Sequence, residues 1–261
     1  MERILSAIIL VVLAGVLVGC NDGRGDADIP KISEVAKLKE EKNRSVSAGF
    51  YVYLLEIDAN EFGLISESLA ELNEPEMKLT ISKVFSDNGF VIAAGQRSDW
   101  VELGAKLLLA QARKTETISL LVYEGISNDI AVSSLKEPNS VFCKVGDNKF
   151  LNLKLGPGQN RLRLRISSVI GLLGVCRVDV MPIFMPGRMN NDDRFIRNKF
   201  AKETVFKGSA LNFRIHPGQF VLIGSKNYEP EHRTLSSIFF SSKEPPYTVR
   251  LVLLACNVIR E

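Results

Sequence analysis

Val249-Arg250-Leu251-Val252-Leu253-Leu254-Ala255-Cys256 decides how this chain folds. An unbroken run of β-branched and aliphatic residues reads as a strand, and successive side chains of a strand point to opposite faces. Val249, Leu251, Leu253 and Ala255 therefore share one face, and Arg250, Val252, Leu254 and Cys256 share the other. A strand with one wet face would keep its second set polar. Only Arg250 is polar here, which predicts a strand buried on both sides, central in a sandwich or a barrel.

The residues before it follow the same grammar. Residues 211–215 alternate, His216-Pro217-Gly218 turns, and residues 219–224 form an apolar strand. Residues 228–233 read as a charged loop and residues 234–240 as a further strand. Further upstream, residues 141–145 and 150–155 flank Gly146-Asp147-Asn148 and predict a hairpin. Arg161-Leu162-Arg163-Leu164-Arg165-Ile166 alternates strictly, so one face is buried and the other carries arginines. Residues 175–184 make the next strand, and residues 189–203 a polar surface segment. Residues 140–261 thus predict an antiparallel β domain.

Residues 50–135 have a different rhythm. Residues 50–57 read as a strand, and Phe62, Ile65, Leu69 and Leu72 recur at helical spacing. Residues 79–85 alternate and fit a strand, with a helix as the alternative. Asn88-Gly89 then suggests a hairpin turn into a strand over residues 90–94. Ser98 precedes a helix to about Arg113, with Trp100, Leu103, Leu107 and Ala110 inward. Residues 117–123 form another strand, and residues 126–135 are either strand or loop. The expectation is an α+β protein: a small mixed-sheet α/β module with two helices on one face, followed by the β domain.

Composition narrows the function classes. Lys+Arg of 33 against Asp+Glu of 30 leaves a net charge of +3, too balanced for a nucleic-acid surface. Two histidines, His216 and His232, are few for a metalloenzyme, and both read as turn or surface residues. No phosphate loop, nucleophile elbow or clustered ligand set occurs, so the chain is read as a non-enzyme without cofactor or metal. Arg161, Arg163 and Arg165 offer a face for anionic headgroups or acidic glycan; a solvated strand face that resists edge aggregation is the alternative. Cys143, Cys176 and Cys256 lie in expected strands and read as buried thiols, and if one disulfide forms, Cys143 with Cys176 is the favoured pair.

The N-terminus carries an address. Arg3 is followed by an apolar run over residues 4–18, the length of a signal-peptide core, ending in Leu17-Val18-Gly19-Cys20. This resembles the lipobox of bacterial lipoproteins. The resemblance implies removal of residues 1–19 and a diacylglyceryl thioether on Cys20, often with a further acyl chain on the new amino group. Two or three chains hold a membrane firmly where one does not. Residues 20–49, poor in large apolar residues, are expected to form a flexible tether. An uncleaved N-terminal membrane helix is the alternative. Asn21 leaves the choice between inner and outer membrane open.

Residues 204–261 are also similar to the closing segment of secretins, the outer-membrane pores of secretion and pilus systems. The likeness runs through Pro217-Gly218, Phe220-Val221-Leu222-Ile223-Gly224, a charged loop, Leu235 with Phe239-Phe240, and the last apolar strand. The Pro- and Gly-rich lip of secretins is missing. Together these features predict a lipid-anchored envelope protein with a structural or interaction role and a protein partner, in a secretion or pilus setting. The alternative is a ligand-binding lipoprotein that captures a small molecule or glycan between its halves.

Overall fold

A computed structural model of the chain describes residues 46–72, 79–146, 149–170, 174–187 and 203–260. The leader, Cys20 and most of the expected tether lie outside these residues. The described strands are β1 (Ser47–Asp58), β2 (Phe90–Gln96), β3 (Arg113–Tyr123), β4 (Ser127–Leu135), β5 (Asn139–Gly146), β6 (Lys149–Leu155), β7 (Gly158–Ile170), β8 (Val175–Pro186), β9 (Thr204–Val205), β10 (Leu211–Ile215), β11 (Gln219–Ser225) and β12 (Thr248–Arg260). The helices are α1 (Phe62–Glu71), α2 (Leu79–Asp87), α3 (Asp99–Leu109) and α4 (Leu235–Phe240).

The strands form a five-stranded sheet ordered β2-β11-β12-β1-β3, a second sheet ordered β10-β8-β7-β4 with β9 on β8, and the separate pair β5-β6. All the strand pairs are antiparallel. The mixed sheet expected for residues 50–135 is therefore corrected. β1, β2 and β3 do not close a sheet of their own but share one with β11 and β12. The physical reason lies in β12. Its two apolar faces need strands on both edges and a layer on each side, and β1 and β11 supply the edges.

Two cores follow from that placement. Val249, Leu251 and Leu253 pack with Phe62, Ile65 and Leu69 of α1 and Leu103 and Leu107 of α3. Val252, Leu254 and Cys256 face the other way, into a core with Leu162, Leu164, Val178 and Val180 of the second sheet. The expected pair of helices on one face is present, and the two sheets stack over the second core as in a sandwich.

One expected strand is a helix, and the segment read as strand or helix is a helix too. Residues 79–87 form α2, which ends with amides of Asn88 and Gly89 donating to the carbonyls of Val84 and Ser86. Gly89 has φ +82, the left-handed conformation that closes helices, so Asn88-Gly89 is a helix stop and not a hairpin turn. Residues 235–240 form α4, and all six are buried. Thr234 caps it by accepting a hydrogen bond from the Ser237 amide at 3.3 Å. A six-residue helix buried on every side, Ser236 and Ser237 included, shows no amphipathic period, which is why its residues read as a strand. Residues 126–135, left open above, contain β4.

Candidate functional site

The β5–β6 pair is a separate two-stranded sheet with one exposed face. Val141, Cys143 and Leu155 anchor its inner face in the large core. Its outer face carries Phe142 and Phe150, 57% and 64% exposed, with the exposed Asn152 and Lys154 in the same row. β5 is held on its far side where the Phe142 amide donates to the Arg233 carbonyl at 3.1 Å. Among the described strands none pairs with the outer edge of β6. An unpaired edge presents free amides and carbonyls to any extended segment, and solvent-facing phenylalanines beside it add apolar contact.

The hairpin is fixed to the body by a buried amide. Asn88, 2% exposed, donates to the Lys144 carbonyl at 2.9 Å and to Ser209 Oγ at 2.7 Å, and its Oδ1 accepts from the Lys144 amide at 2.7 Å. Lys144 Nζ reaches Asp87 at 2.5 Å and lies 5.8 Å from the Phe150 ring centroid. That hydrogen bond holds the Asp87 carboxyl below its usual range. The hairpin is thus a ledge clamped to the body, with its outer edge unpaired among the described strands.

Arg161, Arg163 and Arg165 share the outer face of β7, but they are unequal. Arg163 is enclosed by carboxylates: Nε meets Asp129 Oδ1 at 2.7 Å and Nη2 meets Glu203 Oε2 at 2.8 Å. These bonds raise its pKa and lower that of Glu203, so the charges stay locked together. Arg161 donates to Gln159 Oε1 at 2.6 Å. Arg165 is exposed. The ladder expected to present a row of cations has a neutralised middle rung.

Cys143, Cys176 and Cys256 are free, buried thiols, so the favoured Cys143–Cys176 pair is not formed. Cys143 sits in the hairpin and Cys176 in the second sheet, on strands that do not adjoin. Burial pushes the Cys143 thiol up to about 11 and the Cys176 and Cys256 thiols up to about 12, which keeps them protonated and poor nucleophiles.

His232, expected at the surface, is 5% exposed. Its Nε2 lies 2.7 Å from the Ser241 carbonyl oxygen, so Nε2 carries the proton. Nδ1 is buried and has no partner among the described residues. Burial holds its pKa below the ordinary 6.5, because charging the ring there would desolvate a cation. The folded state then takes up this proton less readily than the unfolded chain. Stability is full above 6.5 and falls as pH drops below it, by up to about 1.4 kcal/mol per pH unit for one proton. Urea midpoints measured between pH 7.5 and 5 are expected to show that fall, and His232→Asn, which tolerates the local φ of +52, to flatten it.

A cleft of about 630 Å³ runs past His232, β4 and the 241–246 loop. Its charges are largely self-satisfied. Glu56 accepts from Thr248 Oγ1 at 2.8 Å and from Arg250 Nη2 at 3.3 Å, and Lys136 Nζ reaches Glu244 at 2.6 Å. Among the described residues no group of three or more His, Cys, Asp or Glu is placed to hold a metal. No described helix is long and apolar enough to cross a membrane.

No protein-family model matches the chain. No curated protein matches it either. Among solved structures it has weak similarity to the secretin InvG of the Salmonella SPI-1 injectisome. The InvG secretin-domain β-barrel superposes with a TM-score of 0.24 at 10% identity, over 88% of this chain and 67% of that one. InvG in the open gate state gives 0.25 and 11%, over 90% and 67%. A near-atomic InvG structure gives 0.23 and 12%, over 98% and 78%. Scores of this size do not define a common fold.

Proposed function

We propose that this chain is a lipid-anchored bacterial envelope protein whose folded part docks another envelope protein. The docking half of the reading rests on the open β6 edge with Phe142 and Phe150 at its side. The anchor half rests on Leu17-Val18-Gly19-Cys20 at the end of an apolar leader. The likeness of residues 204–261 to the secretin closing segment directs the search to secretion and pilus components. No catalytic step is assigned.

Each half has its own test. Mass analysis of the mature protein is expected to find a chain that begins at an acylated Cys20. A chain that begins at Met1 with a free thiol at position 20 overturns the anchor. Intact protein purified from detergent-solubilised envelopes is expected to carry a secretion or pilus component. Phe142→Asp with Phe150→Asp, both on an exposed face, is expected to release it without loss of fold. Recovery of the unaltered protein as a lone monomer counts against docking.

The cleft favours a second reading, capture of a small molecule or glycan, because its volume lies within the usual range of ligand pockets. Ligand-dependent rises in melting temperature that vanish in Arg250→Ala would favour this reading over docking.

A further inference from the structure

Among the described residues, the helices on the first sheet stop short of one end of it. Ala48, Phe50, Val52 and Leu54 of β1 point into the sandwich core, so Ser47, Gly49, Tyr51 and Tyr53 point to the helical side. In the β1–β3 register Ser47 pairs with Tyr123, Gly49 with Leu121, Tyr51 with Ser119 and Tyr53 with Thr117. Directly paired residues share a face. Tyr123 and Leu121 therefore continue the row begun by Tyr51, and they are 39% and 48% exposed. Tyr51 is 39% exposed and its ring centroid lies 6.5 Å from Tyr53, which lies 6.3 Å from Trp100 at the start of α3. Val101 beside it is 77% exposed. Trp100 was expected inward; it leans on Phe220 at 5.8 Å and leaves one flank to solvent.

Two further observations say what covers this patch. The first is its chemistry. Tyrosine and tryptophan around aliphatic side chains, with a cation alongside, suit the boundary between headgroups and hydrocarbon. Lys114 supplies the cation, 5.8 Å from the Tyr53 ring centroid. On this face β3 presents Lys114, Thr117, Ser119, Leu121 and Tyr123, and no carboxylate. The second is where the chain enters. The segment that leads from Cys20 joins the described structure at the start of β1, and Ser47 is the direct partner of Tyr123. Fully extended, that segment spans at most roughly 90 Å, so an acylated Cys20 would hold the patch at high local concentration beside a bilayer.

We propose that the face formed by Tyr51, Trp100, Val101, Leu121 and Tyr123 lies against the surface of an anionic phospholipid bilayer. This deepens the membrane-anchored reading and rests on it for local concentration only. The β5–β6 ledge belongs to the other side of the first sheet, so the same molecule keeps its open edge away from the lipid.

Trp100 is the sole tryptophan of the chain and reports on this contact directly. The full-length protein as isolated from its membrane is placed in vesicles of phosphatidylethanolamine and phosphatidylglycerol, with or without brominated acyl chains. Loss of Trp100 emission in the brominated vesicles, weaker when phosphatidylglycerol is left out, is the expected result. Leu121→Asp with Tyr123→Asp, both exposed, is expected to restore the emission while the thermal midpoint stays near that of the unaltered protein. Equal emission in brominated and plain vesicles overturns the proposal. So does quenching that survives the double substitution, or cross-linking of the patch to a second copy or a protein instead of lipid. The mass of the N-terminus is read on the same sample. Acylated Cys20 with unquenched Trp100 defeats docking alone, and quenched Trp100 with an unmodified Cys20 defeats the anchor alone.

Discussion

Phe90→Ala is expected to lower the unfolding free energy by about 3–5 kcal/mol, the usual cost of removing a fully buried aromatic ring. Phe90 is 1% exposed and sits where four rings meet. It stacks on Phe85 of α2 at 4.7 Å and takes edge contacts from Phe239 and Phe240 of α4, each at 6.0 Å. Phe239 in turn meets Phe206 at 6.1 Å. A strand was the first reading for both segments, with a helix as the alternative for α2 alone, and this ring cluster is what locks both against the first sheet. The loss should therefore exceed that of an isolated aliphatic truncation. Urea denaturation followed by far-UV circular dichroism measures it. A loss under about 1.5 kcal/mol, the scale of a tolerated volume-conserving swap, would mean that the cluster does not hold these helices.

Asn88→Ala should cost about 2–4 kcal/mol, because buried polar groups left without partners keep their desolvation penalty. The substitution strands the Lys144 amide, the Lys144 carbonyl and the Ser209 hydroxyl together. Asn88→Asp should be no better, since a carboxylate cannot donate to the Lys144 carbonyl and its charge would be buried. The consequence is local as well as global. Amide exchange in β5 and β6 should accelerate beyond what the change in overall stability explains, because the ledge loses the clamp that joins it to α2. Uniform acceleration through both sheets would assign Asn88 a general role instead of a clamping one.

Much of the strand content was legible because it depends on alternation along one chain. The Arg161–Ile166 stretch buries Leu162, Leu164 and Ile166 and turns its arginines outward, as its period-two pattern requires. The β5–β6 hairpin was read correctly around Gly146. The errors fall where a local signal has two meanings. Asn88-Gly89 serves a hairpin and a helix stop equally well, since both need a positive φ. Residues 235–240 have no solvent-facing side, and so short a run without a period does not distinguish helix from strand.

The candidate surfaces were less legible, because exposure is a property of what lies opposite. Phe142 and Phe150 look like core residues in a list of strands and are solvent-facing in the fold. Arg163 looks like a free cation beside Arg161 and Arg165. Its neutralisation needs Asp129 from β4 and Glu203 from just before β9, both remote along the chain. His232 sits in a charged segment, yet packing against the 241–246 loop buries it.

The sequence alone determined the antiparallel character of residues 140–261, the helical side of residues 50–110 and the doubly buried strand near the C-terminus. Each follows from side-chain periodicity, which needs no partner to be read. Only the tertiary structure decided that β12 takes β1 and β11 as its neighbours and so merges the two halves into one sheet. Strand pairing is set by which distant apolar faces can be buried together, and a one-dimensional pattern states that a face must be covered without stating by what.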